Sequence, residues 1–288
     1  MSDIPGQWKQ ERARHFVRIG LWTAALASLA VVMFYSARWL TIGHIARAEG
    51  QVPSFTMRQE MYGEQPARVL ALTSVFARRS DGATSTRNQS FDQLGHDTGD
   101  GRVIDFSDGS EAWVFDDVAS VVKSPAPPAL LMARARGAAR NAASNCLYPG
   151  ETLVGQEQIQ GFLADVVKLK PVGNAEMTVW LAPELGCAAL ETRSSDRQPD
   201  GTVKPAGETD LVSVTMGEPD RSLFEVPSNY ASVMPSEAMR KSIEHSGLPW
   251  TDMAEAEAQR SDAAYTRHLQ GQWGPIPKTK SPAQPQSQ

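Results

Sequence analysis

VLALTSVFARRSDGATSTRNQ, residues 69–89, decides the fold. Val69–Arg79 is apolar and β-branched without the i, i+3, i+4 spacing of a helix face. Ser80-Asp81-Gly82 then supplies turn chemistry before a second run, Ala83–Gln89. A β-hairpin follows from that order.

The same grammar continues downstream. Gly101–Phe106 and Glu111–Phe115 flank Ser107-Asp108-Gly109, Val118–Lys123 adds a third strand, and Pro125, Pro127 and Pro128 stop the meander. Ala129–Asn145 (ALLMARARGAARNAASN) is the one long helix candidate inside the domain, alanine-rich but interrupted by Gly137. Strands resume at Thr152–Ile159, Gly161–Lys168, Met177–Leu181, Leu185–Thr192 and Leu211–Met216. The last sets Val212, Val214 and Met216 against Leu211, Ser213 and Thr215, the alternation of a half-buried antiparallel strand. Ser194–Glu208 (SSDRQPDGTVKPAGE), rich in turn formers and charge, is expected as an exposed loop. Beyond Glu225-Val226-Pro227 the chain leaves the sheet for a helix over Ser236–His245, capped at Ser236 and stopped near Gly247. A more polar helix, Thr251–Gln270, and a Pro/Gln/Ser tail, Gly271–Gln288, expected to be disordered, complete the chain.

Upstream, Ile19–Ala37 (IGLWTAALASLAVVMFYSA) carries no charge between Arg18 and Arg38, which is about the length a helix needs to cross hydrocarbon. Lys9, Arg12, Arg14 and Arg18 outweigh Asp3 and Glu11 ahead of it, so the N-terminus is expected in the cytoplasm and the domain on the other side. A bacterial inner membrane with the domain in the periplasm fits this topology. Two other readings stay open: a cleaved signal peptide, with Ala46-Arg47-Ala48 as the small-x-small site, and a buried core helix. Gly20, Ala24 and Ser28 recur every fourth residue, as on a helix face that lets another membrane helix approach closely. Their ordinary abundance in such helices is the competing account.

The expected organisation is therefore α+β, mainly β. A cytoplasmic tail (1–18), a single transmembrane helix (19–40) and a linker (41–54) precede a curved antiparallel sheet forming a half-open barrel with one internal helix (55–234). C-terminal helices (235–270) and the tail (271–288) follow.

The formal net charge of −5 and the lack of a clustered basic face exclude a nucleic-acid footprint. Cys146 and Cys187, both on the expected periplasmic side, are expected to pair as a disulfide, with two free buried thiols as the alternative. His15, His44, His96, His245 and His268 are scattered and show no ligand spacing. Asp97-Thr98-Gly99-Asp100-Gly101 with Asp105 and Asp108 has the acidity of a calcium loop without its regular ligand positions or terminal Glu, and reads by default as hairpin turns. No Gly-x-Ser-x-Gly, phosphate loop or dinucleotide fingerprint is present. Trp113, Phe115, Phe162 and Trp180 fall in expected strands and read as core packing. No cofactor, metal or catalytic residue is expected.

TVWLAPELGCAALE (Thr178–Glu191) followed by SVTMGEPDRSLFEVPSNYASV (Ser213–Val233) resembles the C-terminal half of bacterial envelope proteins of the LolA-like superfamily, which includes lipoprotein carriers and MucB/RseB-type regulators. The shared phrases are Trp180 with Pro183, then Leu223, Phe224, Pro227 and Tyr230. The resemblance implies a strongly curved sheet, half closed into a barrel around a helix, with an apolar concavity that in some members accepts acyl chains. Two departures matter. A soluble carrier loses its signal, whereas this chain is expected to keep its anchor, and the regulators have a further domain not found here. The expected function is a non-catalytic, membrane-anchored binding or scaffold module for a lipid, a lipidated protein or a protein partner. The alternative is an accessory single-pass subunit of a larger membrane complex, reaching a membrane protein partner through the helix at 19–40. An enzyme would require a carboxylate cluster or a His–carboxylate pair in a concave site.

Overall fold

The computed structural model describes residues 53–63, 68–92, 94–128, 146–148, 150–171, 173–198 and 200–272. The helix expected at 19–40 with Gly20, Ala24 and Ser28, the helix candidate Ala129–Asn145 and the tail beyond Gln272 lie outside the described residues. Among those that are described, no helix is long and apolar enough to cross a membrane.

The described chain is mainly β, a large curved open sheet with two helices. Strands β1 (Phe55–Gly63), β2 (Val69–Arg78), β3 (Thr84–Phe91), β4 (Asp97–Asp105), β5 (Glu111–Phe115) and β6 (Ser120–Ser124) form one meander. Strands β7 (Thr152–Ile159), β8 (Phe162–Lys168), β9 (Ala175–Ala182), β10 (Ala188–Arg197) and β11 (Val203–Met216) form another. The sheet runs β12-β6-β5-β4-β3-β2-β1-β11-β10-β9-β8-β7, so β1 and β11 are the seam that joins the meanders. At that seam Gly207 lets the strands close: a Cβ there would sit 3.1 Å from the Tyr62 carbonyl oxygen.

Six register shifts bend the sheet, among them those at Arg58/Gln59, Ala189/Glu191 and Leu153/Gly155. Each extra residue kinks its strand and adds right-handed twist. A sheet of this many strands cannot stay flat and pack both faces, so curvature is the ordinary resolution.

The hairpin at residues 69–89 forms as its sequence dictates. Gly82 takes φ 89° in the turn, and the Ala83 amide donates to the Asp81 carboxylate at 3.0 Å. Phe55–Gly63 is a central strand that no local signal announces, its alternation hidden among Met, Gln, Glu and Arg. Three expectations are corrected. Ser194–Glu208 is no loop, because β10 runs to Arg197 and β11 begins at Val203, with a tight turn closed by Gln198 donating to the Thr202 carbonyl at 2.7 Å. The acidic run Asp97–Gly101 is strand, not turn. Finally, the first helix, α1 (Pro235–His245), starts on Pro235 at its first position rather than on a Ser236 cap. Ser236 instead donates from its amide and hydroxyl to Asp262 of α2 (Asp252–Leu269). Thr251 caps α2 by accepting from the Ala254 amide.

Two apolar clusters fill the fold. One unites Phe55, Met57, Phe76, Leu190 and Leu211 with Leu185, Ala182 and Ile159 around the seam. The second joins Ala77, Ile104, Ala112, Val114 and Val121 under Phe224, with Leu223, Val226 and Tyr230 packed on it. The chain after β11 therefore crosses back over the first meander. It lays β12 (Ala231–Ser232) parallel to β6 and ends in the two helices.

That crossing is pinned by polar contacts. Asp116 faces the Arg102 guanidinium at 3.3 Å and accepts from the Tyr230 hydroxyl at 2.9 Å. Arg102 also donates to the Ser222 carbonyl, and Ser242 of α1 donates to Asp117. Burial, and then the bond to Asp116, hold the Tyr230 phenol above its usual range, so it remains a donor. Tyr230→Phe should lower unfolding free energy by about 1–2 kcal/mol, the cost of leaving a carboxylate short of one donor. Urea denaturation followed by fluorescence measures it, and a loss indistinguishable from zero would show that the crossing holds by apolar packing alone.

Candidate functional site

The sheet has two edges, and the fold treats them differently. The β6 edge is covered: β12 pairs with Ser120–Val121, and the Tyr265 hydroxyl of α2 donates to the Lys123 carbonyl at 3.0 Å. The β7 edge has no strand on its outer side among the described residues. It is eight residues long, seven of them exposed. Leu153 and Val154 are 44% and 51% accessible, and Leu163 on neighbouring β8 is 46%. A row of unpaired amides and carbonyls beside exposed leucine and valine is a template for an added strand. The register shift at Leu153/Gly155 and the charge of Glu157 blunt it in part.

β7 is held where it is by two restraints. At its far end Gln160, at φ 47°, and Gly161 make a two-residue turn, and Gln160 donates to the Leu211 carbonyl at 2.7 Å. At its near end Cys146 is bonded to Cys187, Cα atoms 5.5 Å apart, as the sequence led us to expect. The bridge ties the lead into β7 to the turn between β9 and β10, so the bare edge belongs to a braced hairpin.

One face of the seam carries charge. Arg68 pairs with Glu208 and with Asp210 (2.6 Å) and lies 3.5 Å over the Tyr62 ring. Arg193 pairs with the same two carboxylates at 3.1 and 2.9 Å and lies 5.6 Å from the centre of the Trp180 ring. Burial holds the Glu191 carboxyl above its usual range despite Arg193 nearby. Two guanidiniums bridging two carboxylates form a closed set, each charge answered by another. The arrangement ties the start of β2 to β11 and β10. Exposed to solvent and screened by salt, these pairs add little to stability.

The expected aromatic positions divide. Phe162 packs on the seam cluster, and Trp180 packs there while donating to Glu157 at 2.7 Å. Trp113 donates to Glu111 two residues before it on the same strand. His96, 72% accessible, meets only its turn neighbour Asp92 at 3.0 Å, and no group of three or more potential metal ligands gathers among the described residues. Among the described residues Asp105 is the buried carboxyl with a large perturbation: burial pushes it up to about 6, against the bond it accepts from Thr84.

Two of the grooves among the described residues bear on the sheet. One, of about 630 Å³, lies at the ends of β8–β11 between Lys168, Lys170, Met177, Thr178 and Arg193 and has a mixed lining of polar and apolar surface. The other, of about 520 Å³, is apolar and lies between Phe106, Ala112, Pro125, Phe224, Val226 and Leu269. Neither the bare edge nor the grooves could be found in the sequence, since they depend on which strands end the sheet.

No protein-family model matches the chain, and no curated protein matches it. Among solved structures, the MucA/MucB complex of Pseudomonas aeruginosa is similar at 15% identity and a TM-score of 0.37, with 68% of this chain and 62% of that chain covered. PNGF-II is similar at 11% identity and a TM-score of 0.40, covering 67% and 33%. The LolA superfamily protein NE2245 from Nitrosomonas europaea stands at 9% and 0.26, covering 65% and 96%. The chain spans about three-fifths of MucB and a third of PNGF-II. At TM-scores below 0.5 these likenesses fix neither a family nor an activity.

Proposed function

We propose that this chain is a non-catalytic binding or scaffold module of the bacterial envelope, anchored in the inner membrane through residues 19–40 with its sheet on the periplasmic side, and that it takes a protein segment. The bare β7 edge carries the reading. Main-chain groups along an open edge recognise an extended polypeptide whatever its sequence, and the exposed Leu153, Val154 and Leu163 give that strand apolar side-chain contacts. An acyl chain carries no donor or acceptor to match the alternating amides and carbonyls of the edge, whereas an extended polypeptide carries both. The disulfide supports the same reading, since it braces the hairpin that presents the edge in an oxidising compartment.

The test is native mass spectrometry of the full chain gently extracted from its own membrane, beside a Leu153→Lys/Val154→Lys variant. A co-migrating polypeptide should be present with the unaltered chain and lost, or reduced at least tenfold, in the variant, because edge lysines discourage strand addition. Retention of the partner by the variant, or a mass excess of lipid size in its place, would sink the protein-segment reading.

A second reading, the accessory subunit of a larger membrane complex, is favoured by one observation. Met234, Leu248 and Met253, at the ends of α1 and α2, are all more than one-third accessible. They would be a second contact of the same assembly, and Leu248→Glu with Met253→Glu would release it without touching β7.

A further inference from the structure

The apolar groove at the β6 side of the sheet has a floor, two walls and an open mouth. Ala112 and Lys123 belong to β5 and β6, Phe224 and Val226 to the crossing segment, and Leu269 is the last residue of α2. Leu269 is 56% accessible, which is much apolar surface for a side chain already packed at a groove wall.

The chain leaves the described residues beside this groove. Gly271, at φ 72°, ends α2: its amide donates to the His268 carbonyl at 2.9 Å, and the Gln272 amide donates to the Arg267 carbonyl at 2.8 Å. This is the helix stop that turns a chain out of the helix axis. The next residues are Trp273-Gly274-Pro275-Ile276-Pro277, and beyond them the tail holds no large apolar side chain, only Lys, Thr, Ser, Pro, Ala and Gln. The two large apolar side chains of the tail thus fall within a few residues of Leu269, a reach of roughly 13 Å to Trp273 at about 3.3 Å per residue.

We propose that this groove is the seat of the chain's own segment Trp273–Pro277, with Trp273 and Ile276 as its anchors. The groove's volume is that of a site holding a drug-sized ligand, enough for a few side chains. The two prolines reduce the freedom the segment loses on docking. Tethering supplies the rest: a short linker holds a ligand at an effective concentration of about 1 mM, so a segment that would bind only weakly as a free peptide stays docked. The docked segment would lie past the point where β12 stops and extend cover of the β6 edge beyond Tyr265. Any acyl chain or apolar peptide seeking the groove would have to displace it. This assignment concerns the opposite edge from β7 and is independent of what β7 binds.

Hydrogen–deuterium exchange on the full-length chain tests it, compared with a chain ending at Gln272 and with Trp273→Ala/Ile276→Ala. In the unaltered protein the Trp273, Gly274 and Ile276 amides should exchange at least tenfold more slowly than those of Gln286–Gln288. In both altered chains, exchange at Tyr265–Leu269 should quicken and binding of an apolar dye should rise severalfold. The assignment is overturned if Trp273–Ile276 exchange as fast as the end of the tail. It is also overturned if the shortened chain binds no more dye, or if native mass spectra show a lipid in the groove of full-length and shortened chains alike.

Discussion

Cys146→Ser with Cys187→Ser should lower the unfolding free energy by about 4 kcal/mol, the largest single effect expected in this molecule. The bridge closes 41 positions of chain, and on the loop-entropy account a cross-link of that span removes about that much freedom from the unfolded state. Cys146 is fully buried and Cys187 nearly so, and serine hydroxyls without assured partners in their place would add to the loss. Losing a large part of a typical domain's margin of about 5–15 kcal/mol brings the protein close to its threshold. Urea unfolding of the oxidised chain, the reduced chain and the double variant gives the number. The reduced and serine forms should agree with each other and stand well below the oxidised form; a difference under about 1 kcal/mol would mean that the unfolded chain is already constrained without the bond. Because the bridge braces the β7 hairpin, amides of β7 and β8 should lose protection before those of β2–β4.

The second large effect is a pH dependence written into Asp105. Burial pushes its carboxyl from an ordinary 3.8 up to about 6, while the same group in the unfolded chain titrates near 3.8. Between those values the native state holds the proton more tightly than the unfolded state. Stability is therefore full below about pH 4, falls as pH rises towards 6 and levels off above it, for a total of about 3 kcal/mol at about 1.4 kcal/mol per unit. Asp105→Asn keeps an acceptor for the Thr84 hydroxyl, 2.9 Å away, and removes the charge. The variant should equal the parent at pH 4 and exceed it by about 2–3 kcal/mol at pH 7.5, measured as the difference between paired urea titrations. An equal loss at both pH values would show that the buried carboxylate is supported in its charged form.

How much could be read from the chain varies by element, for physical reasons. β2 and β3 were legible because alternation and a Ser-Asp-Gly turn act within twenty residues. The strands β7 to β9 were legible within a few residues for the same reason, and Cys146 and Cys187 because an oxidising side leaves two cysteines little else to do. β1 was not. The middle of FTMRQEMYG, MRQEM, consists of residues that favour helix, and what makes it a strand is pairing with β2 on one side and with β11, far along the chain, on the other. The β10–β11 hairpin was taken for a loop because its charges looked like solvent exposure. In fact Arg193, Glu208 and Asp210 pair with one another and with Arg68 across three strands, a constellation no local window contains. The candidate binding edge was equally hidden, since being last in a sheet is a property of the topology. The helix expected over Thr251–Gln270 was plain to within a residue at each end because a helical run is local, although the cap that Thr251 supplies was not read from the sequence.

The seam also sets a clock. Gly63 and Val203 lie 140 positions apart, so a ribosome working at about 5–20 residues per second finishes β1 roughly 7–28 s before the strand that will flank it begins to emerge. Throughout that interval the future centre of the sheet is a naked strand margin in a nascent chain, with β2 on one side and nothing permanent on the other. An unpaired strand of this kind is aggregation-prone, so that exposure is built into the order in which the strands are made.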